Sequence, residues 1–157
     1  MSPEPHNKAK QKARREKWIA VRTQCGTLRG RDAIFLDRVR IDRDRIKLEG
    51  EFNGLLCSIR KKHRSIAYSC TFVGVLAVRI YELESCPPSV WRLRGDWMAG
   101  DGSSFDEVKN SRWIRTLGKY NLTPKHRHYW FQTYDYVYEI VCVTYELTLG
   151  KARRWPS

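Results

Sequence analysis

Two histidines near the C-terminal end are separated by one residue, a spacing that can bring two ring nitrogens to one metal ion. On a β-strand, His126 and His128 would point to the same face, because successive side chains alternate. Imidazole nitrogens are common ligands of zinc and other transition metals. A third ligand would have to come from elsewhere, with Glu139 and His63 as the candidates. The alternative is that both histidines face solvent or cap neighbouring bases, since so short a pattern has many chance matches.

Four carboxylates lie near apolar or aromatic runs, where acid–base catalysis could be placed. Such catalysis needs two titratable groups in different environments. Asp135 and Glu139 lie in an aromatic run, and Glu82 and Glu84 end an apolar one. Asp135 also fits a turn in which its side chain bonds its own backbone. The chain has no nucleophile elbow, phosphate loop, dinucleotide fingerprint or zinc-protease motif. The sequence therefore names no reaction and indicates no cofactor.

The sharpest binding candidate is a basic run between two predicted strands over 55–59 and 66–72. We call it the basic tip, and it consists of Arg60, Lys61, Lys62, His63 and Arg64. At a protruding turn, these side chains would contact several phosphates of a polyanion, and such binding weakens steeply with salt. Exposed Trp or Tyr rings beside the turn could stack on bases. The alternative is a solvated turn without a ligand.

Positive charge extends beyond the basic tip to both ends of the chain. Lys and Arg total 30 against 17 Asp and Glu, which gives a formal net charge of +13. The first 17 residues hold six bases and two acids, and residues 150–157 hold three bases, so the two ends carry about half of the excess. Because excess positive charge attracts polyanions, we predict that four bases near the two ends of the chain also bind the polyanion. They are Arg14, Arg15, Arg153 and Arg154.

Length and composition indicate one folded domain without a membrane segment. A chain of 157 residues with 41% hydrophobic residues can bury one core. No apolar run approaches the ~18 residues that a membrane helix needs, and the N-terminus lacks the apolar segment of a signal peptide. The five cysteines are widely spread and form no C-x-x-C pair, which is typical of buried free thiols. We therefore expect a cytoplasmic protein with no membrane partner.

A sheet and at most two helices have to position these residues. The run 126–149 has no Gly or Pro and is rich in aromatic and β-branched residues, which predicts two strands joined by a reversal near Asp135. Ser103 or Ser104 could cap a helix over 104–117 that Gly118 would end. We predict an α+β fold with a mainly antiparallel sheet of about five to seven strands, this one helix packed on it, and room for a short N-terminal helix. Residues 1–17 would form a basic arm, 18–149 the domain and 150–157 a basic tail.

Several segments carry a resemblance to a known group of proteins. They are the run from Glu107 to Leu117, which contains Asn110-Ser111-Arg112-Trp113, and the segments 128–131, 138–141 and 72–79. The pattern resembles a group of small uncharacterised bacterial proteins in which an Asn-Ser-x-Trp helix precedes a terminal β-hairpin. The resemblance covers about half of the chain, and its motifs are structural. Because some proteins of this size act as immunity or antitoxin partners, it implies a protein partner as an alternative.

The charge clusters favour a non-enzymatic protein that binds an anionic macromolecule, with nucleic acid as the first choice. The alternative is an immunity- or antitoxin-like module that binds a protein through the exposed face of the terminal hairpin. A long basic arm is unexpected in an inhibitor of a basic nuclease toxin, because like charges repel. The arm therefore favours nucleic acid.

Overall fold

The chain forms two antiparallel β-sheets that share one core. The computed structural model describes residues 15–59, 63–88 and 103–154, and these contain nine strands: β1 Lys17–Ala20, β2 Ile34–Asp42, β3 Arg45–Asn53, β4 His63–Val73, β5 Ala77–Glu82, β6 Phe105–Lys109, β7 Arg127–Gln132, β8 Tyr136–Cys142 and β9 Thr144–Arg154. Sheet I has the strand order β1-β6-β7-β8-β5, and sheet II has the order β2-β3-β4-β9. All neighbouring strands in both sheets pair antiparallel. The fold is therefore β-rich.

Strand β4 shows how side-chain alternation builds the interface between the sheets. Every second side chain from Ile66 to Phe72 is buried, and the residues between them are partly exposed, because a pleated strand points successive side chains to opposite faces. The Phe72 ring centroid lies 5.9–6.1 Å from those of Phe105, Tyr129 and Phe131 in sheet I. One cluster of buried residues spans both sheets.

The second face of sheet I, which we call the outer face, carries a smaller cluster. Leu83, Val108, Trp130 and Val137 are buried there, with Trp18 packed against them. The strand register places three buried polar residues on the same face: Asp106, His128 and Glu139. Polar side chains are therefore concentrated on the side of sheet I that is turned away from sheet II.

The predicted helix over 104–117 is wrong, and the α+β class is wrong with it. Phe105–Lys109 form strand β6, which pairs with both β1 and β7. The described part of this segment has one short helix, α1, over Arg112–Thr116. Phe105 lies in the shared core and Val108 in the outer cluster, so their three-residue spacing places them on opposite faces of a strand.

The hydroxyl groups of the candidate helix caps explain where the helix begins. Ser103 Oγ donates to the Phe105 carbonyl at 2.9 Å, and Ser104 Oγ donates to the Gly30 carbonyl at 2.7 Å. Neither serine caps a helix. Ser111 does, since its Oγ accepts the Ile114 N–H at 3.1 Å. The predicted N-terminal helix would lie mostly outside the described residues, and Lys17–Ala20 are a strand.

The run 126–149 contributes to three strands rather than the predicted two. The reversal near Asp135 is confirmed, because the Thr133 N–H donates to the Tyr136 carbonyl at 2.7 Å. After Cys142 the chain leaves sheet I, and Thr144 begins β9 in sheet II. Apart from their first residues, β7 and β8 are buried throughout. The predicted exposed face is therefore not found on β7 and β8.

The C-terminal part of β9 covers much of the segment predicted as a tail. Lys151–Arg154 continue β9 alongside β4. Among the described residues, no helix is both long enough and apolar enough to span a membrane.

The five cysteines are free and buried, and we expect them to resist alkylation in the folded protein. Burial raises the pKa of the Cys142 thiol from 9.0 to about 12 and also raises the pKa of Cys70, because a low-dielectric core disfavours the charged thiolate. At about pH 8, the thiolate fraction of Cys142 should be about a thousandfold smaller than that of an unperturbed cysteine, and the thiolate is the form that reacts. Iodoacetamide labelling followed by mass spectrometry would measure this. Rapid labelling of the native protein, comparable to that of a denatured control, would contradict the buried assignment.

Candidate functional site

The two histidines predicted as a metal pair lie in different environments. His126 precedes β7, and its Nδ1 accepts the Thr123 N–H at 3.0 Å. His128 is buried on the outer face of sheet I. Of the two predicted third ligands, Glu139 lies beside His128, whereas His63 begins β4 in sheet II. In the part of the chain that the structure describes, no three His, Cys, Asp or Glu side chains are grouped to hold a metal ion.

His128 instead belongs to a buried polar chain with Ser111 and Glu139. Its Nδ1 lies 2.9 Å from Ser111 Oγ, and its Nε2 lies 3.2 Å from Glu139 Oε1. The His128 and Glu139 side chains are 3% and 5% exposed. If the ring proton is on Nε2, the Ser111 hydroxyl donates to Nδ1. The imidazole then presents an N–H towards Glu139.

Two strands and a helix cap hold this polar chain in place. The β7–β8 register sets Glu139 opposite Trp130, and His128 lies two residues before Trp130, so both polar side chains reach the outer face. Ser111 is held at the start of α1 by the Ile114 N–H. The orientation of His128 therefore depends on sheet I and on the cap of α1 together.

His128 and Glu139 are the most buried residues lining a pocket with a volume of about 220 Å³, and they form its floor. The rings of Trp18 and Trp113 form walls, and their centroids lie 6.3 and 5.2 Å from that of His128. The Arg79 guanidinium carbon lies 4.1 Å from the centre of the Trp113 ring, which is a cation–π distance. Exposed side chains surround the mouth, and these are Arg79, Arg112 and Thr116.

Two buried atoms at the pocket floor lack a hydrogen-bond partner among the described residues. They are His128 Nε2, whose 3.2 Å contact with Glu139 is not aligned as a hydrogen bond, and Glu139 Oε2. Buried polar atoms are nearly always paired, and leaving one unpaired costs about 1–3 kcal/mol. The pocket therefore presents an unused acceptor on the carboxylate beside an unused imidazole nitrogen.

Ser111, His128 and Glu139 contact one another in the same order as the residues of a hydrolase triad. Ser111, however, cannot act as the nucleophile. Ser111 is buried, and its oxygen already accepts the Ile114 N–H. An attacking hydroxyl must be reachable by substrate and activated by its base. Ser111 is therefore a positioning residue for His128.

The other predicted acid–base candidates lie away from this pocket. Glu84 pairs with Arg31 at 3.3 Å, and both side chains are exposed. The carbonyl of Asp135 accepts the Leu83 N–H at 2.7 Å, which makes this residue part of the β7–β8 turn. The structure therefore brings only Glu139 of the four carboxylates into a site.

The N-terminal arm joins the domain at the rim of the pocket. Glu16 lines the pocket, and its carboxylate accepts a hydrogen bond from the backbone N–H of Arg112. The carbonyl of Arg15 accepts a hydrogen bond from Asn110 Nδ2 at 3.2 Å. Arg14, which the sequence groups with Arg15, lies outside the described residues. The last bases of the arm are thus held close to the pocket mouth.

The predicted hairpin around the basic tip has a different form. Gly54–Leu56 form a 3-10 turn in place of the predicted strand over 55–59. His63 and Arg64 begin β4. The other three residues of the tip lie outside the described residues, and they are Arg60, Lys61 and Lys62.

The structure brings the end of β9 to the basic tip. Arg154 lies opposite His63, and Arg153 lies opposite Ser65, in neighbouring antiparallel strands. Two basic clusters that are about 90 residues apart in the sequence therefore meet at one end of sheet II.

The described end of the arm, residues 15–17, lies at the other end of the sandwich. Cys57, near the tip, forms a β-bridge with Leu28, whose carbonyl accepts the Ser104 N–H at 2.8 Å just before β6 begins. Lys109, at the far end of β6, pairs with Lys17 of the arm. The described residues of the tip and tail thus lie at one end of the sandwich, and Lys17 of the arm lies at the other.

Sequence reasoning selected His128 and Glu139 but missed the residues that complete their pocket. Trp18 and Arg79 lie on β1 and β5, and only the pairing of the whole sheet brings them near β7. One signal was present in the sequence, because Ser111 followed by Trp113 is typical of a helix start with an apolar anchor.

Neither a protein-family model, nor a curated protein, nor a solved structure matches the chain. Its function has to be inferred from the residues and their geometry.

Proposed function

We propose that this protein is a non-enzymatic nucleic-acid-binding protein that holds phosphates with the basic end of sheet II. The observation that carries the proposal is the pairing of β4 with β9, which sets His63 and Arg64, the described part of the basic tip, beside Arg153 and Arg154. Segments 52–66 and 147–157 together contain seven Lys and Arg residues and no Asp or Glu. Such a concentration of positive charge, with no acid in either segment, attracts a polyanion and neutralises several phosphates at once.

The β2–β3 hairpin also carries many bases, but its charges differ from those of the basic end of sheet II. Arg38 lies opposite Glu49 in the strand register, and Lys47 Nζ lies 2.9 Å from Glu49 Oε1. The hydrogen bond from Lys47 lowers the pKa of Glu49. Acids are therefore interspersed with the bases of this hairpin, whereas segments 52–66 and 147–157 contain none.

A salt titration tests the proposal with the tip neutralised, using the variant R60Q/K61Q/K62Q/R64Q. We expect the slope of log K against log salt for a single-stranded oligonucleotide to fall by up to about 3, because each phosphate contact contributes ~0.7. Fluorescence anisotropy at several salt concentrations would measure the slope.

The matched control removes four bases from the β2–β3 hairpin instead, with R38Q/R40Q/R43Q/R45Q. Because Asp and Glu residues are interspersed with these bases, we expect a change in slope of less than about one. No binding by the wild-type protein at low salt would sink the proposal. So would a tip variant whose slope equals that of the wild type.

A protein partner of the immunity or antitoxin kind is the second candidate, and the edge strands favour it. Strands β2 and β5 are edges of their sheets, and both expose apolar side chains: Phe35, Val39 and Ile41 on β2, and Val78 and Ile80 on β5. An exposed edge strand with apolar side chains is a surface on which another chain can dock. Binding there would change little with salt, which distinguishes it from phosphate binding.

A further inference from the structure

We propose that the pocket on the outer face of sheet I binds a single unpaired nucleobase. This inference deepens the proposed function and rests on it, because the base would arrive as part of a nucleic-acid strand or as a free nucleotide. The pocket lies apart from the basic end of sheet II, so the two can be tested separately.

The pocket floor matches the hydrogen-bonding edge of a base. Glu139 Oε2 is a buried acceptor without a partner among the described residues, and His128 Nε2 lies 3.2 Å from the other oxygen of the same carboxylate. The edge of each nucleobase places an N–H donor next to a nitrogen or oxygen acceptor. A base N–H would donate to Glu139, and the His128 N–H would donate to the neighbouring acceptor. Both orphaned atoms would then be satisfied.

The pocket walls are suited to the flat faces of a base. Trp18 and Trp113 both line the pocket. The guanidinium carbon of Arg79 lies 4.1 Å from the centre of the Trp113 ring, and Arg79 is exposed. Aromatic rings and guanidinium planes are the two surfaces on which proteins stack unpaired bases.

The volume of the pocket limits the ligand to one ring system. Sites for drug-sized molecules measure roughly 300–1,000 Å³, and this pocket measures about 220 Å³. The sugar and phosphate of the same nucleotide would lie outside. There the exposed guanidinium groups of Arg79 and Arg112 surround the mouth, and Arg15 of the arm is anchored close by through Asn110. The mouth has two guanidinium groups and one carboxylate, that of Glu16, so its net positive charge suits a phosphate. The floor suits a base.

The test compares two single-stranded oligonucleotides of about ten nucleotides, one with bases and one abasic throughout. Wild-type protein should bind the strand with bases about tenfold or more tightly, given that stacking one base contributes ~1–3 kcal/mol. In Glu139→Gln, the amide oxygen would turn to the His128 N–H, and the NH₂ group would face the donor of the base. The ratio of the two affinities should then fall towards one. Glu146→Gln, at an exposed position on β9, removes the same charge and should keep the wild-type ratio.

The ratio of the two affinities is measured on the wild-type protein alone, so the proposal can be tested even if Glu139→Gln fails to fold. Equal affinity of the wild-type protein for the two strands would contradict the proposal that the pocket binds a base. It would leave the proposal of phosphate binding intact. Failure to bind either strand would overturn the proposed function as well. Nucleoside monophosphates identify the source of the base. If the protein binds a nucleoside monophosphate as tightly as the oligonucleotide, its ligand is a free nucleotide. If it binds the monophosphate at least about a hundredfold more weakly, its ligand is a strand, because a strand adds phosphate contacts.

Discussion

Replacing Phe72 by Ala is expected to lower the free energy of unfolding by about 3–5 kcal/mol. The Phe72 side chain is fully buried between the two sheets. Its ring lies 5.9–6.3 Å from four others, which are Phe105, Tyr129, Phe131 and Tyr145. Truncation would leave a cavity that two hydrogen-bonded sheets cannot close, and it would also remove the edge-to-face contacts. Guanidinium denaturation followed by circular dichroism would measure the loss.

The same substitution at Phe35 is the control. Phe35 is 40% exposed, and its ring stacks on Tyr134 with the centroids 5.6 Å apart. We expect Phe35→Ala to cost less than about 1 kcal/mol, since an exposed truncation leaves no sealed cavity. Comparable losses for the two variants would mean that Phe72 is not at the centre of the shared core.

Gly54→Ala is expected to cost about 3 kcal/mol or more, at the upper end of the cost of overpacking. A Cβ at position 54 would lie 1.7 Å from the carbonyl oxygen of His63 and 2.6 Å from its carbonyl carbon. These are backbone atoms at the start of β4, so relief requires the strand to move away from Gly54. We also expect weaker oligonucleotide binding, because the same movement would displace the basic tip. Thermal unfolding and anisotropy would measure the two effects.

Gly118 offers the matched control, since a Cβ there would meet no atom within 4 Å. Gly118→Ala should change stability by no more than about 0.5 kcal/mol, as expected at an open surface position. If Gly54→Ala were equally neutral, the close approach of the 3-10 turn to β4 would be wrong.

The strands of sheet II could be predicted wherever one face is buried and the other exposed. Strand β4 shows this alternation over most of its length, and β3 shares it. The same reasoning failed for β6 because that strand is buried on both faces. Phe105 lies in the shared core and Val108 in the outer cluster, so the period of two disappears and the remaining spacing resembles a helix.

The candidate site could be predicted only in part, for a related reason. His128 and Glu139 stood out because their residue types are rare in aromatic runs. Their pairing follows from the β7–β8 register, which brings together residues 11 positions apart. Trp18 and Arg79, which line the pocket, lie on β1 and β5. These are the two edge strands of the five-stranded sheet I. Such long-range pairing is not encoded in any local pattern.

The position of β9 makes completion of sheet II depend on a strand that is synthesised long after its neighbour. Strand β9 is the neighbour of β4, about 80 residues earlier, and it supplies Tyr145 to the shared core. During translation, one edge of β4 would remain unpaired until this strand leaves the ribosome. Exposed edges invite pairing between chains, and positive charge suppresses it. Arg64, at the start of β4, and the neighbouring bases of the tip would therefore keep nascent chains apart before they meet any ligand.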